Sequence, residues 1–552
     1  MLLDPIRVRW RIRRGNQALG AQVARVRAFL DTRPAVDDSM GPVLIFNAST
    51  RIHRLSLNGA FSLLTGWSLR ASGTSVLQVT CRAGMEQCTL GAQRLNLEAP
   101  PPCAQCMRFG DRLFSGLPTV GLRLRPEALE RTRDLDAQSL AGLIACEWDG
   151  VGFGSLVLPT VRWVLRRHDL EDSQAVRDLV RQYVRSAISL HLEFQELIER
   201  QRPRAMVVFN GIMFPEAVAR LVARRAGIPV ITHEVGLQPH SAFFSAREAT
   251  FREVDIAPEG RLDAAQSERL DDYLGGRFRG RFRMAGIDFW PEMQPLPPSL
   301  EARLTGFRQV ATIFTNVVFD TSQVHANTLF STMFEWLEDL GRAIPRHPET
   351  LFVLRAHPDE DRPGKESQQS VAGWLAASGL RHAPNLLFFG PSDYVSSYDL
   401  IRRSKLVLVY NSSVGLEASI AGVPVLCAGR ARYTQVPTVF LPGSRDEYGL
   451  ALEALLKAPA LDSPAAFTAN ARRFLHHEVF HASLDLSEFL ADETGFPGMV
   501  LLKSFDPARL LDSEALSVIR EGILHGRRFE SGRGRASGRA VRARPKVAAA
   551  GL

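Results

Sequence analysis

Short unbroken apolar runs, rich in Val, Ile and Leu, recur along the chain and are separated by longer stretches with apolar positions at helical spacing. Runs of that kind read as strands covered on both faces. A first series comprises Val43 to Asn47, Ser75 to Thr80, Arg204 to Asn210 and Ile228 to Thr232, with helices expected over Leu55 to Leu69 and Pro215 to Ala226. A second series comprises Val310 to Thr315, Leu351 to Arg355, Asn385 to Phe389, Lys405 to Tyr410, Val423 to Cys427 and Thr438 to Leu441. Helical stretches separate most of these strands, which predicts α/β architecture with a doubly wound parallel sheet in each half. Residues 170–201 and 465–525 read as helical outside the two series, and the second of these is placed to cross back to the first half.

A chain of 552 residues exceeds one ordinary core, so two main domains with appendages are expected. The pattern divides it into a basic helical arm (1–40, with a break near Pro34), a first α/β domain (41–290) and a Pro-rich linker (291–300). A second α/β domain with a helical end (301–525) and a basic tail (526–552) follow. The tail is rich in Gly, Ala and Ser and is expected to be disordered. Apolar content of 45% with 23% charge is that of a globular protein. No run approaches the length of a membrane-spanning helix, and the basic N-terminus lacks the apolar core of a secretory signal, so a cytoplasmic protein is expected. The net charge of +8 is concentrated in Arg7 to Arg14 and in Arg527 to Lys546, which holds seven arginines and one lysine. Such a run either solubilises the chain or attaches it to an anionic surface. Aromatic interleaving is absent from it, which argues against a dedicated nucleic-acid ligand.

Candidate chemistry gathers at the ends of the strands, the edge where open α/β sheets bind ligands. In KLVLVYNSSVGLEASIAGVPVLCAG, a strand turns through Asn411, Ser412 and Ser413 into a helix from Val414 to Ile420, with Glu417 one turn in. A helix start of this kind attracts phosphate; alternatively the serines only cap the helix. Arg355 and His357, two apart in an extended segment, point the same way and suit a diphosphate or carboxylate. His233 and Glu234 end a strand of the first domain, either as chemistry or as a local hydrogen-bonded pair. Cys81, Cys88, Cys103 and Cys106 follow as C-x6-C and C-x2-C, and suit either a structural zinc or free reduced thiols. His477 and His481 are one helical turn apart without a third metal ligand. Walker, GxGxxG and GxSxG motifs are absent, which removes support for ATPase, NAD-dependent and hydrolase readings.

The series FTNVVFDTS, LRAHPDEDRPGKES and VYNSSVGLEASIAGVPVLCAG, with Tyr433 after it, resembles the capsule polysaccharide biosynthesis proteins, GT-B glycosyltransferases related to Kdo transferases. VVFNG and ITHEVG in the first domain are similar to the same group. The resemblance covers most of residues 200–450. It implies two Rossmann-like domains and metal-independent transfer from a nucleotide sugar, CMP- or UDP-linked, to a cell-surface polysaccharide or glycolipid, at the inner face of the membrane. Carried over, Arg355 and His357 contact donor phosphates or a sugar carboxylate. Asn411, Ser412 and Ser413 form the phosphate corner, and Glu417 binds ribose or sugar hydroxyls. Glu234, with His233 as helper, activates the acceptor hydroxyl. Two other readings remain at this stage: a sugar-nucleotide 2-epimerase on the same fold, and a non-catalytic scaffold acting through the basic tail.

Overall fold

The computed structural model describes residues 5–33, 39–48, 54–254, 256, 260–278, 283–284, 287–288, 294–493, 496 and 498–532. The chain opens with α1 (Pro5–Asp31), then β1 (Val43–Phe46), α2 (Leu57–Ala71), β2 (Val76–Cys81) and β3 (Thr119–Leu122). The long α3 (Gln174–Gln201) precedes β4 (Ala205–Phe209), α4 (Glu216–Arg225), β5 (Val230–Val235) and β6 (Ser241–Ser245). After α5 (Ala264–Arg277) the second series runs β7 (Gln309–Phe314), α6 (Met333–Ala343), β8 (Thr350–Arg355), β9 (Leu386–Phe389) and β10 (Leu406–Val409). It continues with α7 (Val414–Ile420), β11 (Val425–Cys427) and α8 (Ala465–His477), and the chain closes on β12 (Leu484–Asp485) and α9 (Glu514–His525).

The first sheet has the order β12-β6-β5-β4-β1-β2-β3, parallel from β5 to β3 and antiparallel at β6 and β12. The second sheet, β9-β8-β7-β10-β11, is parallel throughout. Each parallel set therefore doubles back beside its first strand, with neighbours β1 and β4 in one sheet and β7 and β10 in the other. Loops leave in opposite directions at such a switch point and open a crevice above the strand ends. Two sheets of this order around a shared cleft form the GT-B arrangement.

Side-chain alternation builds a double-sided core in each sheet. Val43 and Ile45 pack with Phe61, Trp67 and Ile519 on one face, while Leu44 and Phe46 pack with Tyr183 and Phe194 on the other. In β7, Ala311 and Ile313 face Trp336 and Leu340, and Val310 and Phe314 face Leu416 and Phe474.

The expected boundaries shift at three places. The helix α5 lies before the expected linker, yet Leu270 and Leu274 sit in the second domain's core. Residues 484–529 return to the first domain, where β12 pairs with β6 and Leu516, Ile519, Ile523 and Phe529 join its core. The basic arm is the ordered helix α1, with Leu19, Val23, Val26 and Leu30 buried at helical spacing; the break near Pro34 lies outside the described residues. Of the expected tail, residues 526–532 are docked: Phe529 packs against Phe244 at 5.8 Å, and the Ser531 N–H donates to the His481 carbonyl at 2.8 Å. Residues 533–552 lie outside the described residues. Thr438 to Leu441 contributes only a bridge from Phe440 to Leu426. No helix among the described residues is long and apolar enough to cross a membrane.

Candidate active site in the interdomain cleft

Both switch points open on one cleft of about 1270 Å³ between the domains. Its second-domain wall carries Thr315, Asn316 and Asp320 after β7, Arg355 and His357 after β8, and Asn411, Ser412, Ser413 and Glu417 after β10. Its first-domain wall carries Ala48 after β1, Asn210 and Glu216 after β4, and Glu234 at the end of β5.

Arg355 is 2% exposed, and its only described hydrogen bond runs from Nη1 to the Gly390 carbonyl. Nε and Nη2 are buried without a hydrogen-bond partner among the described residues. Burial pulls its pKa down, but a guanidinium stays charged at neutral pH. His357 accepts the Asp359 N–H on Nδ1 at 3.1 Å, which fixes the ring and leaves Nε2 as its second polar edge. Burial lowers its pKa, so the neutral imidazole is favoured.

The corner after β10 depends on one close approach. A Cβ on Gly415 would stand 2.5 Å from the Tyr433 hydroxyl, which donates to the Ser412 carbonyl at 2.8 Å. Ser413 starts α7 without a side-chain cap and is exposed, so the capping reading does not hold for it. Asn411 accepts from Gln323 Nε2 at 3.0 Å and donates to the Ser322 carbonyl at 3.1 Å, tying the corner to the loop after β7.

Glu417 is held differently from expectation. It is 6% exposed, ion-paired with Arg277 at 2.6 Å, and receives the Tyr398 hydroxyl at 2.7 Å. Arg277 Nε and Nη2 on one oxygen and the Tyr398 hydroxyl on the other hold it in place, so Glu417 orders the cleft floor. Arg277 ends α5, ahead of the expected linker.

Glu234 lies at the opposite wall. Its Oε2 accepts from Asn210 Nδ2 at 2.8 Å, and its Oε1 from the Val235 N–H at 2.9 Å. Asn210 adopts φ 55°, in the left-handed region that Asn tolerates, and also takes the Ile212 N–H at 3.1 Å. Burial pushes the Glu234 carboxyl above its ordinary range, the direction that strengthens a base. His233 is a correction. Strand alternation turns it away from the cleft into a fully buried pocket beside Phe61, Phe209 and Phe244, with Ser62 Oγ 2.9 Å from Nε2. Burial lowers its pKa to about 3. It is a core histidine and gives Glu234 no help.

Reading α4 only as a crossover helix missed Glu216. It lines the cleft in the first turn of α4, 3% exposed, accepting the Ala48 N–H at 2.9 Å, and burial pushes its pKa up to about 7. An acid opening a helix just after a strand end was the available signal.

The four thiols of Cys81, Cys88, Cys103 and Cys106 also line the first-domain wall. Cys81 accepts the Gly84 N–H at 3.4 Å and Cys88 the Gly91 N–H at 3.2 Å. Burial raises their pKa values to about 11 and about 12. Among the described residues no three His, Cys, Asp or Glu side chains are arranged to hold a metal. The zinc expectation therefore does not fit: the wide first spacing seats Cys81 and Cys88 in separate turns. His477 and His481 instead dock the C-terminal segment, with Glu530 3.0 Å from His477 and the Ser531 carbonyl 2.9 Å from His481 Nδ1.

Both flanks of the cleft are closed by contacts between domains. On one side Arg94 pairs with Glu366 at 3.3 Å, and the Gln368 N–H donates to the Arg166 carbonyl at 2.8 Å. On the other side Glu248, held by Arg220 at 2.6 Å, reaches His325.

Residues 300–437 match the family model of the capsule polysaccharide biosynthesis protein. The matched segment is about a quarter of the chain. It contains β7 to β11 and, apart from Arg277, every second-domain residue named above at the cleft. Comparison with curated protein sequences finds no match. Among solved structures, the β-Kdo 2,4 transferase of Thermosulfurimonas dismutans KpsC is similar at 13% identity, over 53% of this chain and 87% of that one, with a TM-score of 0.33. The sucrose-phosphate synthase of Thermosynechococcus elongatus is similar at 12% identity, over 80% and 95%, with a TM-score of 0.28. A UDP-GlcNAc 2-epimerase of Neisseria meningitidis bound to UDP-GlcNAc is similar at 12%, over 79% and 98%, with a TM-score of 0.24. Scores this low do not bear on activity.

Proposed function

We propose that this protein is a glycosyltransferase that moves a sugar from a nucleotide-sugar donor to a glycan or glycolipid acceptor. The observation that carries the reading is the buried Arg355 guanidinium, with two N–H groups unpartnered in the cleft, facing a first-domain wall that offers a buried carboxylate, Glu234. A diphosphate supplies the oxygens Arg355 lacks. The Ser412–Ser413 corner and His357 complete that site, and Glu417 shapes its floor through Arg277 and Tyr398. Glu234 takes the proton of the attacking hydroxyl, so the nucleophile sharpens as the bond to the leaving diphosphate lengthens. The fixed charge of Arg355 offsets the charge that develops there, which is the work a divalent cation performs elsewhere, so the reaction is proposed to be metal-independent. The capsule polysaccharide domain supports a surface-glycan acceptor. The basic termini support work at the cytoplasmic face of the inner membrane.

Thermal unfolding against CMP, UDP, GDP and CDP tests the donor site. A nucleotide that binds only the folded state at 100 times its Kd stabilises it by about 2.7 kcal/mol. One nucleotide is expected to raise Tm, and Arg355→Gln to abolish the rise without unfolding the protein. No shift from any of them at millimolar concentration overturns the reading.

A further inference from the structure

A second buried guanidinium lines the same cleft from the other domain. Arg166 follows the helix Phe153–Leu165 at φ 58° and is 8% exposed. Its guanidinium lies 4.0 Å from the Trp163 ring and 5.1 Å from Phe319, which comes from the second domain. Nη1 is buried with no hydrogen-bond partner among the described residues. Leaving such a donor unpaired is destabilising, the more so for a charged group. Two aromatic faces hold it flat, so its donors are pre-aimed rather than free to turn back to solvent.

The surrounding charges do not satisfy it. Arg94, Glu366 and Asp320 act on it electrostatically, but Arg94 and Glu366 pair with each other. Asp320 Oδ1 takes the Thr321 N–H at 2.7 Å, and Oδ2 takes the Ser322 hydroxyl at 3.1 Å. Arg362 and Asp359 pair at 2.7 Å. Lys365 lines the cleft at its exposed rim, near Arg166 and Asp320, with no described partner for its ammonium. This corner of the cleft keeps an excess of positive charge and a buried donor, Arg166 Nη1, without a hydrogen-bond partner among the described residues.

We propose that Arg166, with Lys365, binds a phosphate or carboxylate carried by the acceptor, so that the acceptor of this transferase is anionic. The proposal rests on the transferase reading for the word acceptor. A planar guanidinium matches both anions with paired hydrogen bonds. Arg355 stands on the second domain beside the phosphate corner, whereas Arg166 reaches in from the wall that carries Glu234 and Glu216. One diphosphate satisfies the first, and a separate anionic group is needed for the second.

Isothermal titration with glucose 6-phosphate, glucuronate and glucose tests this, on protein alone and on protein saturated with the nucleotide that raises Tm. At least one anionic sugar is expected to bind, and glucose not to. Which of the two binds names the anion. Arg166→Gln and the rim variant Lys365→Gln are expected to weaken that binding at least tenfold while nucleotide affinity is unchanged, and Arg166→Lys to recover part of it. Equal binding of glucose, no binding of either anionic sugar, or variants that bind like the parent overturns the proposal. Loss of nucleotide in Arg166→Gln by the same factor also overturns it, by assigning Arg166 to the donor. If no nucleotide raises Tm, the transferase reading fails by itself, and the titrations without nucleotide still decide whether Arg166 is an anion site.

Discussion

Glu234 and His233 are adjacent in the chain and meet opposite environments, because successive side chains of a strand leave by opposite faces. Replacing them separates chemistry from packing. Glu234→Gln leaves one amide oxygen for the Val235 N–H, sets its NH2 against Asn210 Nδ2, and removes the proton acceptor. Turnover is expected to fall by about 100-fold or more, with a cost of about 1–3 kcal/mol in stability from the lost Asn210 bond. His233→Phe fills the same aromatic pocket and loses the bond to Ser62, costing about 1 kcal/mol in stability with turnover intact. Steady-state kinetics beside thermal unfolding reads both. A second residue gives a pH signature. Glu360 is 3% exposed, accepts the Val371 N–H at 3.2 Å, and has its pKa raised by burial to about 8. The folded state holds this proton more tightly than the unfolded chain, whose carboxyl titrates near about 4.3. Its contribution is thus complete below that value and is lost as pH rises towards 8. Glu360→Gln is expected to match the parent's Tm at pH 4.5 and to exceed it increasingly from pH 6 to pH 9.

Among elements, α5 has the least visible role in the sequence and a large one in the structure. It delivers Arg277 to Glu417, and the pair is almost wholly shielded, with the two side chains 12% and 7% exposed. Removing one partner of such a pair strands a buried charge and costs about 3–5 kcal/mol, whereas replacing both is nearly neutral. Chemical denaturation should therefore show Arg277→Met strongly destabilised and Arg277→Met with Glu417→Leu largely restored. What could be read from residues follows the same physics. The strands β1, β4, β7, β8 and β10 are apolar on both faces and announced themselves, together with the corner at Asn411 to Ser413 that ends the last of them. The edge strand β3 and the interior strand β6 went unseen, because neither carries a continuous apolar run: TVGL is short and glycine-broken, and SAFFS is bounded by serines. Arg277 and Arg166 were equally invisible, since nothing local distinguishes an arginine that will be buried by a distant helix or ring.

At the scale of the molecule, the contacts that flank the cleft bring Glu248 to His325 and Arg94 to Glu366, closing the two walls around the candidate substrates. The chain passes from the first domain to the second before α5 and returns after α8. The second domain is thus one continuous segment, while the first is assembled from both ends of the sequence. Expressed alone, residues 262–482 are expected to give a cooperative unfolding transition. Residues 1–250 are expected to expose the face that Leu484, Leu510, Leu516 and Ile523 cover, to bind a hydrophobic dye, and to recover helical circular dichroism when residues 484–532 are supplied separately. On the ribosome this arrangement inverts the order of birth. The N-terminal half emerges first with one flank of its interior uncovered, the middle segment closes into a finished body while it waits, and the wall that carries Glu234 is completed only when residues 484–529 have emerged.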